Sequence, residues 1–136
     1  MTSFISHTTV DCANAYDLSE WWKPVLGYAD LEDDPNEPGH EECLIRDPGT
    51  GHLVLFIEVP EAKSAKNRIH FDLMPRDGTR DEELARLLAH GATEVADHRG
   101  QWGPGTGWVV LADPEGNEFC ILRSAAERDA ARAADA

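Results

Sequence analysis

Apolar and polar positions are patterned most clearly near the end of the chain, over Trp108-Val-Val-Leu-Ala-Asp-Pro-Glu-Gly-Asn-Glu-Phe-Cys-Ile-Leu122. Two runs of strand-favouring residues flank the turn formers Asp113, Pro114, Gly116 and Asn117, so the stretch predicts a β-hairpin. An earlier stretch, Leu44-Ile-Arg-Asp-Pro-Gly-Thr-Gly-His-Leu-Val-Leu-Phe-Ile57, has the same order with a turn one residue longer. The segments preceding each hairpin also correspond. Before the second, Arg68–Met74 predicts a strand, and Thr79-Arg-Asp-Glu82 a capping box opening a helix with Leu84, Leu87 and Leu88 buried and Gly91 as terminator. Before the first, Phe4–Val10 predicts a strand, and Leu18, Trp21, Trp22 and Val25 a helical stripe ending at Gly27. Pro24 lacks an N–H and crowds the preceding turn, which predicts a kink or early stop around Trp22 or Lys23. With short third elements at Tyr28–Leu31 and Thr93–Asp97, each half reads strand, helix, strand, strand, strand. His7 and His70 stand 63 residues apart, a period too long for a solenoid unit and suited to a duplicated half-domain.

Alternation places Ile5, His7 and Thr9 on one face of the opening strand, opposite Ser6, Thr8 and Val10. In the second half His70 and Asp72 share a face, while Ile69, Phe71 and Leu73 share the one that packs under the helices. A chain of 136 residues makes one domain, expected over 1–123 with half-modules at about 4–60 and 67–123. The segment Glu61–Lys66 links the halves. Residues 124–136 form an alanine-rich tail, a frayed helix with disorder at its end.

The net charge of −14 sets aside nucleic acid and anionic membranes as partners. No run of about 18 apolar residues and no basic-then-apolar N-terminus occurs, so a cytoplasmic protein is expected. Cys12, Cys43 and Cys120 lack Cys-x-x-Cys spacing and read as reduced thiols. The acidic loop Leu31–Glu42 lacks the ligand alternation of a calcium loop. Between Asp97 and Gly107 a glycine-rich loop carries Trp102. No Lys-Ser/Thr follows it and no helix starts there, which excludes a phosphate cradle. The tryptophan is left three roles: packing on its own domain, a dimer contact, or closing over a bound planar molecule.

The order of elements resembles the vicinal oxygen chelate superfamily. So do the early His of each half, Trp21-Trp22-Lys-Pro-Val-Leu-Gly27, and Asp113-Pro-Glu-Gly-Asn-Glu-Phe119. Asn67-Arg-Ile-His-Phe-Asp-Leu73 and the Asp-Pro-Glu-Gly-Asn-Glu-Phe-Cys run are similar to its glyoxalase-like and bleomycin-resistance-like branch. The resemblance implies an α+β fold in which two tandem βαβββ modules form a curved mixed sheet around a cavity. In metal-dependent relatives each half gives one ligand from its first strand and one from its last. Carried over, the first-strand positions are His7 and His70, the metal ligands if any ion is bound. The second-half last-strand position is Cys120, with Leu55 as its first-half counterpart. Glu58 lies near the end of that first-half strand but on the opposite face, unless a bulge re-aims it. Such a set suits zinc better than magnesium. The resemblance therefore implies a small-molecule-binding protein with a cavity lined by His7, His70, Asp72 and Cys120 and covered by Trp102, its aromatics stacking on a planar ligand; the strong negative charge favours a neutral or cationic one. The alternative is a divalent-metal-dependent lyase or isomerase acting on a small carbonyl compound, with Asp72 or Glu58 as base. A third is a scaffold with its hollow plugged. The resemblance further implies a homodimer.

Overall fold

The structure, a computed structural model, describes residues Met1–Asp135. The order of elements is β1 (Thr8–Cys12), α1 (Ala15–Leu26), β2 (Ala29–Asp30), β3 (Glu42–Arg46), β4 (Leu53–Glu58), β5 (Asp72–Leu73), α2 (Arg80–Ala89), β6 (Thr93–Asp97), β7 (Val109–Ala112), β8 (Glu118–Ile121) and α3 (Ala125–Asp135). The chain divides into two compact units, the first Met1–Lys63 and the second from Ser64 onward. Each carries a four-stranded mixed sheet, ordered β1-β4-β3-β2 in the first and β5-β8-β7-β6 in the second. The duplicated strand-helix-strand-strand-strand pattern is thus present in the fold, in the same strand order in both copies.

Both hairpins are fixed by the same device. The Asp113 carboxylate, 3% exposed, accepts the N–H of Glu115 at 2.9 Å and of Asn117 at 3.0 Å, and Asn117 Nδ2 donates to it as well. In the first unit Asp47 accepts from Gly49 N and from the Thr50 hydroxyl, both at 2.8 Å. A short acid bonding its own turn sets the loop, and the loop sets the register of the strands.

One face of each sheet is dry. In the first unit Val54, Phe56, Ile45 and Cys43 are fully buried, with Leu18, Trp22 and Val25 of α1. In the second, Val109, Leu111, Phe119 and Ile121 are buried with Leu84 and Leu87 of α2. Trp22 is 2% exposed and meets Trp21 edge-on at 5.1 Å.

α1 corrects one expectation: it does not stop before Pro24 but runs to Leu26. Its ends are satisfied independently of the proline. Asn14 Oδ1 caps Asp17 N at 3.0 Å, and Gly27 closes the helix at φ 70° with its N–H on the Lys23 carbonyl. Pro24 itself is exposed, so the cost is one missing bond to the turn before it, offset by the apolar stripe that Leu18, Trp22 and Val25 bury.

The opening strands are also shorter than expected, because their partners run out. Thr8 pairs with Val54, next to the start of β4, and only turn residues precede Leu53, so residues 4–7 have no ladder to join. β5 is reduced to Asp72–Leu73; upstream, Asn67 leaves the ladder to donate its N–H to the Glu118 carboxylate at 3.0 Å.

α2 begins with the expected capping box between Thr79 and Glu82. The tail forms α3, whose Glu127 carboxylate accepts from Ser124 N and, at 3.0 Å, from Arg80 N at the head of α2. The disorder expected at the chain end falls on Ala136, outside the described residues.

Replacing Asp113 by Ala strands two turn N–H donors around a buried site. A loss of about 2–3 kcal/mol is expected, seen as a lower midpoint in chemical denaturation with an unchanged slope.

Candidate functional site

Strand pairing decides which side chains meet on the face of the second sheet away from α2. Asp72 of β5 lies directly beside Cys120 of β8, and Cys120 pairs with Val110 of β7. Residues paired across a ladder point to the same face, and neighbours one position on point away. Asp72, Cys120 and Val110 therefore share the open face, while Phe119, Ile121 and Val109 point under the helix. His70, two residues before Asp72, brings its Nε2 to 3.3 Å from Asp72 Oδ1.

His70, Asp72 and Cys120 offer a nitrogen, an oxygen and a sulfur that all lie within 4.8 Å of one another. Cys120 is 5% exposed, whereas His70 and Asp72 are exposed. Burial first, and then the Asp72 carboxylate, which also takes a hydrogen bond from it, push the Cys120 thiol up to about 11. The site thus presents, near neutral pH, a protonated thiol under an imidazole–carboxylate pair. Such a group set can donate and accept hydrogen bonds, move a proton through Asp72 or His70, or chelate a soft divalent ion.

The glycine-rich loop lies on the same unit. Trp102 is 59% exposed and stacks on Trp108, ring centroids 5.0 Å apart and planes 21° from parallel. Of its three possible roles, packing against its own domain is the one the loop displays, through Trp108. The loop base is held by charge: Arg99 binds Asp97 (2.7 Å) and Asp81 (3.1 Å), and buried Arg80 donates to the Thr106 and Gly107 carbonyls at 2.9 and 3.0 Å.

The remaining expected residues lie in the first unit. His7 precedes β1, is exposed, and has Nδ1 3.0 Å from the Ser6 hydroxyl. Glu58 ends β4 and its Oε2 accepts from Ala15 N at 3.1 Å, at the first turn of α1. The β1–β4 register sets Thr9 beside Leu55, the places that Asp72 and Cys120 hold in the second unit.

Two further features were not foreseen. Tyr28 OH meets His52 Nδ1 at 2.8 Å, and His52 Nε2 meets the Thr8 hydroxyl at 3.3 Å. A shallow recess of about 650 Å³ lies beside the end of α1, lined by Lys23, Pro24, Tyr28, Ala29, Asp30 and Leu31. It shares no residue with the His70–Asp72–Cys120 group, and Lys23 and Asp30 already pair with each other at 3.1 Å, so its size outweighs its chemistry. No helix among the described residues is long and apolar enough to cross a membrane.

This fold, a duplicated βαβββ unit, is the one shared by the glyoxalase/bleomycin resistance/dioxygenase superfamily. The chain belongs to the family of the glyoxalase-like domain, which matches residues 7–122. Among solved structures it is similar to a possible glyoxalase from Bacillus cereus, with 15% identity over 89% of this chain and 99% of the other, TM-score 0.61. It is similar to a superfamily member from Sphaerobacter thermophilus, with 18% identity over 89% and 97%, TM-score 0.62. It is also similar to the fosfomycin resistance protein FosX from Listeria monocytogenes complexed with Mn(II) and sulfate, with 15% identity over 94% and 98%, TM-score 0.64. No curated protein matches it.

Arg99 holds the Asp97 carboxyl at about 2, below its ordinary 3.8. A carboxyl depressed in the folded state stabilises fully above the ordinary value and loses that effect as pH falls toward 2. Asp97→Asn is therefore expected to lower Tm modestly at pH 7, solvent screening keeping the effect small, and the gap from the parent should close between pH 4 and 2 in thermal melts.

Proposed function

We propose that the protein binds a small organic molecule on the open face of its second sheet, through His70, Asp72 and Cys120. The single observation carrying this is the meeting of three chemically different polar side chains, their donor atoms within 4.8 Å of one another, on one face of the sheet. Mixed donors converging on half-buried apolar surface are the usual make-up of a ligand site. The net charge of −14 favours a neutral or cationic guest over an anionic one. Among the candidate bases, Asp72 faces the site, while Glu58 is engaged at the start of α1.

A second reading, a metal-dependent lyase or isomerase, is favoured by the donor set. Imidazole, carboxylate and thiol suit zinc, at about 2.0–2.3 Å from each, and suit magnesium poorly. His70, Asp72 and Cys120 would hold the ion. Bound there, it would supply Lewis-acid polarisation of a carbonyl oxygen. The complex of FosX with Mn(II) shows that a protein of this fold accommodates a divalent ion.

Untagged protein exposed to zinc and desalted is expected to retain about one equivalent. Cobalt should give a thiolate charge-transfer band that Cys120→Ser removes and His70→Ala weakens. Retention below about a tenth of an equivalent, with no cobalt band, would remove the metal reading and leave hydrogen bonding as the work of the three side chains.

A further inference from the structure

We infer that the Trp102–Trp108 stack is the aromatic wall of this site, and that the site selects a planar aromatic molecule carrying a hydrogen-bonding group at one end. The inference rests on the proposed reading of His70, Asp72 and Cys120 as ligand-facing groups and adds what lies beside them.

The argument begins with register. β6 and β7 pair Ala96 with Val110 and Asp97 with Val109, and the ladder continues one step, His98 N donating to the Trp108 carbonyl at 2.9 Å. Trp108 lies two residues before Val110 and so shares its face, the face of Cys120 and Asp72. The His98 and Trp108 rings, 5.3 Å apart, meet as a cross-strand pair should. The Trp108 Cα is then about 7 Å along the strand from Val110, itself about 5 Å across from Cys120. Val110, Trp108 and Leu122 are each half-buried, unlike the fully buried Val109, Leu111 and Ile121 behind them. The open face thus carries half-buried Val110 and Leu122 as its floor, with Glu118 joining His70, Asp72 and Cys120 toward one end and the stacked indoles with His98 at the other.

The loop that carries Trp102 is built to hold it in place. Gly107 sits so close to the His98 carbonyl that a Cβ there would come within 1.9 Å of it, at φ +84°, a placement closed to other residues. Arg80, 7% exposed, spends two hydrogen bonds on the carbonyls of Thr106 and Gly107. The Thr106 hydroxyl accepts from Trp102 N at 3.1 Å and donates to the Gly103 carbonyl at 2.7 Å. A loop tethered this closely presents its one large aromatic at little entropic cost, and a ring 59% exposed on such a support has a face to offer. A flat ring lying against that face, with its polar end over His70 and Asp72, uses both ends of the floor.

The test is calorimetric titration of the full chain with three probes: proflavine, a planar cation; 2-naphthol, planar and neutral; and cyclohexylmethylammonium, a non-planar cation. At least one planar probe should bind more tightly than the non-planar one. Trp102→Ala should weaken that binding by about tenfold or more, and Trp102→Phe by less than about threefold. Thermal melts confirm that each variant folds; should Trp102→Ala not fold, Trp102→Phe against Trp102→Leu makes the same comparison. Planar binding that Trp102→Ala leaves unchanged and His70→Ala weakens would overturn the aromatic wall while leaving the proposed site in place. Tighter binding of the non-planar cation would do the same. Failure of all three probes would overturn the inference, and the proposed site would then stand or fall on the ion retention described above.

Discussion

The register of the β7–β8 hairpin is the constraint on which the chemistry depends. Because strand side chains alternate with a period of two, a slip of one residue would turn Cys120 under α2 and bring Phe119 and Ile121 out onto the open face. What prevents the slip is the buried Asp113 carboxylate, which gathers the turn N–H groups of Glu115 and Asn117. Fixed there, Ala112 meets Glu118 and Val110 meets Cys120, and β5 then brings Asp72 alongside. An ordinary turn acid is in this sense the positioning device of the whole site.

The state of Cys120 decides which ions the site could accept. With its thiol pushed up to about 11, releasing the proton at pH 7 costs on the order of 5 kcal/mol. A metal–thiolate bond would have to offset that cost before the sulfur became a ligand, which suits a soft ion such as zinc. A hard cation gains almost nothing from sulfur and would be left with His70 and Asp72 alone. Without a soft ion the neutral thiol remains a weak donor to Asp72, and the group acts by hydrogen bonding.

Much of this was legible in the sequence, and the exceptions have identifiable causes. Alternation placed His70 with Asp72 and put Glu58 on the opposite face from Leu55, because both are local consequences of strand geometry. Strand length was not legible, since it depends on where the partner strand begins: nothing in Phe4–His7 says that β4 starts only at Leu53. Pro24 misled because its local penalty is visible in the sequence, whereas the burial of Trp22 and Val25 that outweighs it is tertiary. Trp108 could have been assigned to the site by counting alternate positions back from Val110. Arg80 could not, because Thr79-Arg-Asp-Glu82 reads as a helix start and gives no sign that the guanidinium turns inward to hold a loop some 26 residues away.

The two units offer an internal control on whether the polar group is there for folding. Their helix-facing strand positions are alike, Val54 and Phe56 in one and Phe119 and Ile121 in the other, all essentially inaccessible. Their open faces differ: the place of Asp72 is held by Thr9 and that of Cys120 by Leu55. The first unit adopts the same strand order with those residues, so the architecture does not require a carboxylate or a thiol there. Setting Asp72 against a buried sulfur also raises the thiol's pKa rather than relieving it, whereas an aliphatic side chain at Cys120 would bury its surface without that conflict. A residue pair that folding does not need and that packing alone would not choose supports the proposed site on this face.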